Sequence, residues 1–260
     1  MTEKANLEGF IVVHPDALWA KNPDGTQTPA WTVTSQWVRD SGYDDLEFIR
    51  LLLDTLDSRV CFDRRQIYAT GYSSGGCMSV RLACASASGE LGMHKIAAIA
   101  PVSAMPLPWS DICEETYSCP ALRHDPVPMR MIVSNNDTAF PMVLTAFCKR
   151  SVDVEEVNRL FRKRSSDIAR ENGCDRMSAA ISTGRTGWGV LTETTAYGCG
   201  ANPKGRADTL LDVFDATTGS GFLGGHIWVG GNPWLGGAPF YGEYKATHVV
   251  WEFFKRHKRR

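Results

Sequence analysis

Residues 66–84 read QIYATGYSSGGCMSVRLAC, and the rest of the chain is organised around them. A short apolar run, Ile67 to Ala69, meets Gly71-Tyr72-Ser73-Ser74-Gly75, and an amphipathic segment follows at once. The pattern predicts strand, sharp turn and helix with a serine at the tip, the context in which G-x-S-x-G is read as a nucleophile elbow. The bare motif is weak, and its context on both sides carries the reading. Gly71 and Gly75 lack side chains, so strand and helix can close tightly around a strained serine, and Gly76 lets the helix start pack against the sheet. Ser73 is the expected nucleophile. Ser74 contributes a backbone N–H at a helix N-terminus, where a developing oxyanion is welcome.

Outward from the elbow, apolar runs and helical stripes alternate. Residues 10–14, Phe-Ile-Val-Val-His, predict a buried parallel strand that ends at Pro15. Residues 15–42 read as loop, with Asn22-Pro23-Asp24-Gly25 as a turn and Trp19, Trp31 and Trp37 as covers for the core. Asp44-Asp45 open a helix whose apolar stripe is Leu46, Ile49, Leu53 and Leu56. Downstream, residues 96–102 and 129–134 predict buried strands. Residues 153–172 predict a charged amphipathic helix that stops at Gly173. Residues 189–197 and 209–214 predict two more strands, with a loop at 198–208 between them. A glycine-rich loop around His226 follows, then a terminal helix at 243–256. The excursion at 104–128 has neither period, holds Pro106, Pro108 and Trp109, and sits where a lid or substrate wall belongs. Cys113 and Cys119 are placed to staple it. This order predicts one α/β domain over residues 1–260: a mostly parallel sheet with helices on both faces.

Composition narrows the function. A net charge of −1 gives no global attraction to nucleic acid or to an anionic membrane. No apolar run approaches the roughly 18 residues that span a bilayer. Eight cysteines favour disulfides and an oxidising compartment. No C-x-x-C or H-x-x-x-H spacing points to a metal, and no cofactor is implied.

A serine needs a base, and the base needs an orienting acid. When the chain order is Ser, acid, His, the acid falls just past a later strand and the histidine on a loop after the last one. Asp137 fits the first place. Of six histidines, His14 precedes the serine, His94 and His124 precede the acid, His248 lies in the terminal helix and His257 in the basic tail. His226 alone follows the final strand, among glycines that allow close approach.

The blocks GFIVVHPDA, DRRQIYATGYSSGG with RLAC after it, AAIAPVSA, NDTAFP and GGHIWVGG resemble the secreted polyhydroxybutyrate depolymerase and feruloyl esterase group of α/β hydrolases, over about residues 5–256. The resemblance implies a serine carboxylic ester hydrolase acting on plant-polymer esters, with Ser73, Asp137 and His226 as its triad and Trp228 as a wall of the acyl site. It implies no cofactor, an ester of a small molecule or polymer as substrate, and secretion. It also implies a Cys174–Cys199 disulfide, and Cys61 and Cys84 fall where such members carry cysteines. A polyhydroxyalkanoate depolymerase with the same triad, and a degenerate hydrolase that binds without turnover, are the alternatives. The chain departs from the group at its acid turn and in its first strands, and Asn136-Asp137-Thr138 is in addition a glycosylation sequon that is expected to be unoccupied. Ser134-Asn135-Asn136 stands before the acid where the group has His-Gly-x-x. The group's earlier strands are lacking as well, including one between residues 10–14 and the elbow strand whose loop supplies a second oxyanion donor. The chain is therefore expected to be N-terminally short and to leave a gap in its sheet. Loss of one such donor costs on the order of 3 kcal/mol.

Overall fold

In a computed structural model, the structure describes residues 1–21, 25–108, 111–185, 191–199, 207–214, 225–229, 237–238 and 244–259. The expected turn at Asn22 to Asp24, Trp109, most of the 198–208 loop and most of the glycine-rich loop around His226 lie outside them. In chain order the elements are α1 (Thr2–Glu8), β1 (Trp19–Lys21), β2 (Gln27–Pro29), α2 (Ser35–Ser41), α3 (Asp45–Arg59), β3 (Ile67–Tyr72), α4 (Ser74–Ser88), β4 (Ile96–Val102), β5 (Met129–Ser134), α5 (Ala139–Cys148), α6 (Val154–Glu171), β6 (Asp175–Arg185), β7 (Leu191–Gly198), β8 (Thr209–Phe214), β9 (Trp228–Val229), β10 (Gly237–Ala238) and α7 (Ala246–Phe254). A 3-10 turn, Pro120–Arg123, lies within the 104–128 excursion.

The main sheet runs β3-β4-β5-β8-β7-β6. Its first four strands are parallel, and β7 and β6 continue it antiparallel. This is an α/β fold with a mostly parallel, mixed sheet. β4 is buried along its whole length, which its uninterrupted apolar run requires. β5 alternates across the two faces. Met129, Met131 and Val133 pack with the apolar faces of α3, α4 and α6, while Ile132 packs with α7. Helices thus cover both faces.

Local chemistry explains the helix ends. The Asp44 carboxylate accepts from the Leu46 N–H at 2.9 Å and starts α3, and the Asp153 carboxylate accepts from the Glu156 N–H at 2.8 Å and starts α6. Gly173, at φ 76°, ends the latter as expected.

Residues 10–14 are not a strand. They pair with no neighbour, and Ile11 and Val13 remain 56 % and 43 % exposed. An apolar run becomes a strand only beside a partner for its backbone. Among the described residues β3 pairs on one side alone, with β4, and it borders a groove of about 1620 Å3 that residues 10–15 also line. The stripe on α3 shows the same gap: Leu46 and Ile49 are buried, Leu53 and Leu56 are only half-buried, and Ile49, Leu53 and Leu56 all line the groove. Phe10 is held in place by its stack on Trp251, with ring centroids 4.0 Å apart.

The stretch 15–42 is also more ordered than a loop: β1 and β2 form a small antiparallel pair, and Thr34 caps α2. Trp31 and Trp37 pack against the core as expected, whereas Trp19 is 64 % exposed. Among the described residues, no helix is long and apolar enough to cross a membrane.

Three disulfides form, Cys84–Cys119, Cys113–Cys148 and Cys174–Cys199. The first two tie the 104–128 excursion to α4 and α5, so Cys113 and Cys119 do staple it. The third is the pair that the resemblance implies. Cys61 is free and exposed, and Cys77 is free and buried. Burial pushes the Cys77 thiol up to about 12, which keeps it an unreactive part of the core.

Candidate active site

The elbow forms where the sequence places it. β3 ends at Tyr72, α4 begins at Ser74, and Ser73 between them holds φ 54° and ψ −121°. A non-glycine residue persists in that conformation only where its surroundings over-determine it. Here the Ser73 N–H donates to the Val102 carbonyl at 3.0 Å, and the Ser73 carbonyl accepts the first helical bond from Cys77 at 3.0 Å.

The glycines divide the work differently from the sequence reading. A methyl group on Gly71 would collide with the Gly75 carbonyl, and one on Gly76 would collide with Ala104. A methyl on Gly75 would meet nothing nearer than the Trp31 indole at 3.6 Å, an ordinary contact. Gly75 therefore matters for the backbone it presents to Gly71, not for lack of room at its own Cα. Gly71→Ala is expected to lower unfolding free energy by about 3 kcal/mol or more, and Gly75→Ala by less than about 1 kcal/mol. Urea denaturation of the two variants checks this, and equal losses would refute it.

Three side chains far apart in sequence converge at this turn. His226 Nε2 lies 2.9 Å from Ser73 Oγ, and His226 Nδ1 lies 2.7 Å from Asp137 Oδ2. Asp137 is fully buried and His226 nearly so, while Ser73 is half-buried at the rim.

The other oxygen of Asp137 accepts from the Ala139 and Phe140 N–H groups at 3.0 and 3.2 Å. The carboxylate thus sits at the positive end of α5, which favours its charge and fixes its orientation. The loop before it is held by a serine and an asparagine. Ser134 Oγ accepts from the Asn136 N–H at 3.0 Å, and the Asn135 carbonyl accepts from the Asn158 side chain at 2.7 Å.

The acid loop is keyed to the histidine loop. The Gly225 N–H donates to the Asn136 carbonyl at 2.7 Å, and a methyl on Gly225 would overlap the Ser134 side chain. The imidazole stands between two aromatic rings, with Tyr72 at 5.1 Å and Phe140 edge-on at 5.5 Å between centroids.

No family model matches the chain. Over 81 residues it is 32 % identical to feruloyl esterase D of Neurospora crassa, a stretch that makes up 31 % of this chain and 23 % of that protein. A match of that extent supports a distant, esterase-like relationship.

Ser74 is the first residue of α4, so its N–H belongs to the helix start that faces the serine. Trp228 lies in β9, and its indole N–H donates to Thr247 at 3.0 Å. It packs with the α7 cluster and also lines the groove beside β3. Sequence reasoning missed Tyr72, Phe140 and Ser134. Tyr72 adjoins the serine and could have been suspected. The other two carry no local signal, because their contacts are made across loops.

Proposed function

We propose that the protein is a serine carboxylic ester hydrolase of the α/β-hydrolase type, feruloyl-esterase-like, that cleaves esters of plant polymers and works outside the cell. The observation that carries the reading is the 2.9 Å approach of His226 Nε2 to Ser73 Oγ, with Asp137 on the opposite nitrogen. The partial likeness to feruloyl esterase D supports the choice of ester. Three disulfides favour an oxidising compartment.

In this reading Ser73 Oγ attacks the ester carbonyl carbon while its proton passes to His226 Nε2. Asp137 accepts from Nδ1–H, which holds the imidazole in the tautomer that leaves Nε2 free and stabilises the imidazolium that forms. The oxyanion of the tetrahedral intermediate accepts from the Ser74 N–H. The imidazolium returns its proton to the departing alcohol, leaving an acyl-serine. Water, deprotonated by the same imidazole, then releases the carboxylic acid and restores Ser73. Trp228 would border the acyl group.

The test uses methyl ferulate and a fluorophosphonate probe. Hydrolysis of the ester, together with covalent labelling that is lost in Ser73→Ala, is the expected result. An enzyme that cleaves hydroxybutyrate oligomers but not methyl ferulate would overturn the assigned substrate. A wild-type serine that the probe never labels would overturn the chemistry.

A further inference from the structure

We propose that Tyr72 and Ser103 are positioning residues for His226, gripping the peptide unit between His226 and Ile227 from its two ends. The proposal rests on the reading of His226 as the general base.

That peptide has one carbonyl and one N–H, and each is held by a different side chain. The Tyr72 hydroxyl donates to the His226 carbonyl at 2.6 Å. The Ile227 N–H donates to Ser103 Oγ at 3.1 Å, and the Ser103 hydroxyl in turn donates to the Ile227 carbonyl at 2.7 Å. The backbone immediately after the imidazole is therefore bonded on both sides to residues of the central sheet. Tyr72 is the last residue of β3, and Ser103 directly follows β4. Both are adjacent strand ends, so the histidine is referred to the same rigid frame as Ser73.

The choice of serine at 103 supports a role beyond filling space. Ser103 is fully buried and sits at φ 44°, a conformation that glycine adopts freely and serine does not. Its own N–H continues the ladder to the Ile132 carbonyl at 2.8 Å, so the backbone there is fixed. What serine adds over glycine at that strained position is a hydroxyl, and the hydroxyl goes to the peptide that follows His226. Strain of this kind gathers at sites that need preorganisation.

Tyr72 keeps its side of the grip over the working range of pH. Burial, with the Asp137 charge adding to it, pushes its phenol up to about 12, so it remains a protonated donor. Its ring also packs against the imidazole.

The reacting geometry tolerates little error, since a displacement of about 1 Å costs roughly a hundredfold in rate. Losing one side of the grip is expected to cost about tenfold. The test compares wild type with Ser103→Gly, Tyr72→Phe and the double variant. Ser103→Gly removes the hydroxyl and relieves the positive φ, so lost activity cannot be ascribed to a strained fold. Expected are a fall in kcat of about tenfold for each single variant with KM within about twofold, and a melting temperature for Ser103→Gly close to that of wild type. The double variant should lose less than the product of the two, because both hold one peptide. Proton NMR supplies a readout independent of turnover: the low-field Nδ1–H resonance of His226 should be sharp in wild type and broadened in both single variants. Unchanged kcat with an unchanged resonance overturns the proposal. A wild type that fluorophosphonate does not label overturns the esterase reading instead, and the resonance then still decides whether the grip orders His226.

Discussion

Replacing His226 by alanine is expected to lower kcat on an activated ester by about five to six orders of magnitude, with KM little changed. The imidazole lies within hydrogen-bond reach of Ser73 Oγ, at 2.9 Å, and a hydroxyl at neutral pH is a poor nucleophile without a base. Asp137→Asn is expected to cost about four orders. The amide oxygen could still accept from Ala139 and Phe140, so the start of α5 would survive. The carboxylate that holds Nδ1–H at 2.7 Å would be gone. The effects should not add: Ser73→Ala combined with His226→Ala should be no slower than Ser73→Ala alone. Steady-state kinetics with p-nitrophenyl acetate, with Ser73→Ala as the background, gives the comparison. A loss below a hundredfold in His226→Ala would remove the histidine from the chemistry.

Replacing Arg164 by methionine is expected to destabilise the fold by about 3 kcal/mol, read as a lower melting temperature. Among the described residues Arg164 is the largest fully buried side chain, and it lies on the inner face of α6. Its guanidinium donates to the Pro106, Ile112 and Glu114 carbonyls at 3.2, 3.0 and 2.5 Å. Those carbonyls belong to the irregular excursion after β4, which has no ladder of its own to satisfy them. Desolvation lowers the guanidinium to about 10, so it still carries its charge at neutral pH. Methionine fills similar volume but leaves the three acceptors without a donor. The disulfides Cys84–Cys119 and Cys113–Cys148 would keep the excursion tethered. Unfolding should therefore stay cooperative while its midpoint falls. A midpoint within about a degree of wild type would show that these bonds contribute nothing net.

The elements that the sequence predicted best are those whose partners come with them. β4 and β5 have the bounds that their apolar runs give, because each has a neighbour on both sides. α3 and α6 start at Asp44 and Asp153, as short polar caps dictate. α5 and β6 were not anticipated. α5 is apolar nearly throughout and has no polar face to give it a helical period, and β6 lies against the antiparallel margin of the sheet. The failure at residues 10–14 has the opposite cause. Their pattern is that of a strand, but among the described residues β3 pairs only with β4, and a pattern cannot supply the partner that a ladder needs.

At the candidate site, the glycine-flanked motif selected Ser73, and chain order then selected Asp137 and His226 from among the acids and histidines. That selection rests on chemistry that the sequence carries: a glycine-flanked turn between strand and helix, an acid after a later strand, and a histidine after the last one. The sequence by itself thus determined the α/β class and singled out three candidate side chains, since both follow from residue type and order. Only the tertiary structure decided that Gly71 and Gly76, not Gly75, lack room for a methyl group. It alone showed that Arg164 holds the excursion and that Tyr72 and Ser103 grip the peptide after the histidine. These depend on atoms brought within a few ångströms by packing between segments remote in the chain, and no local pattern of residues records such distances.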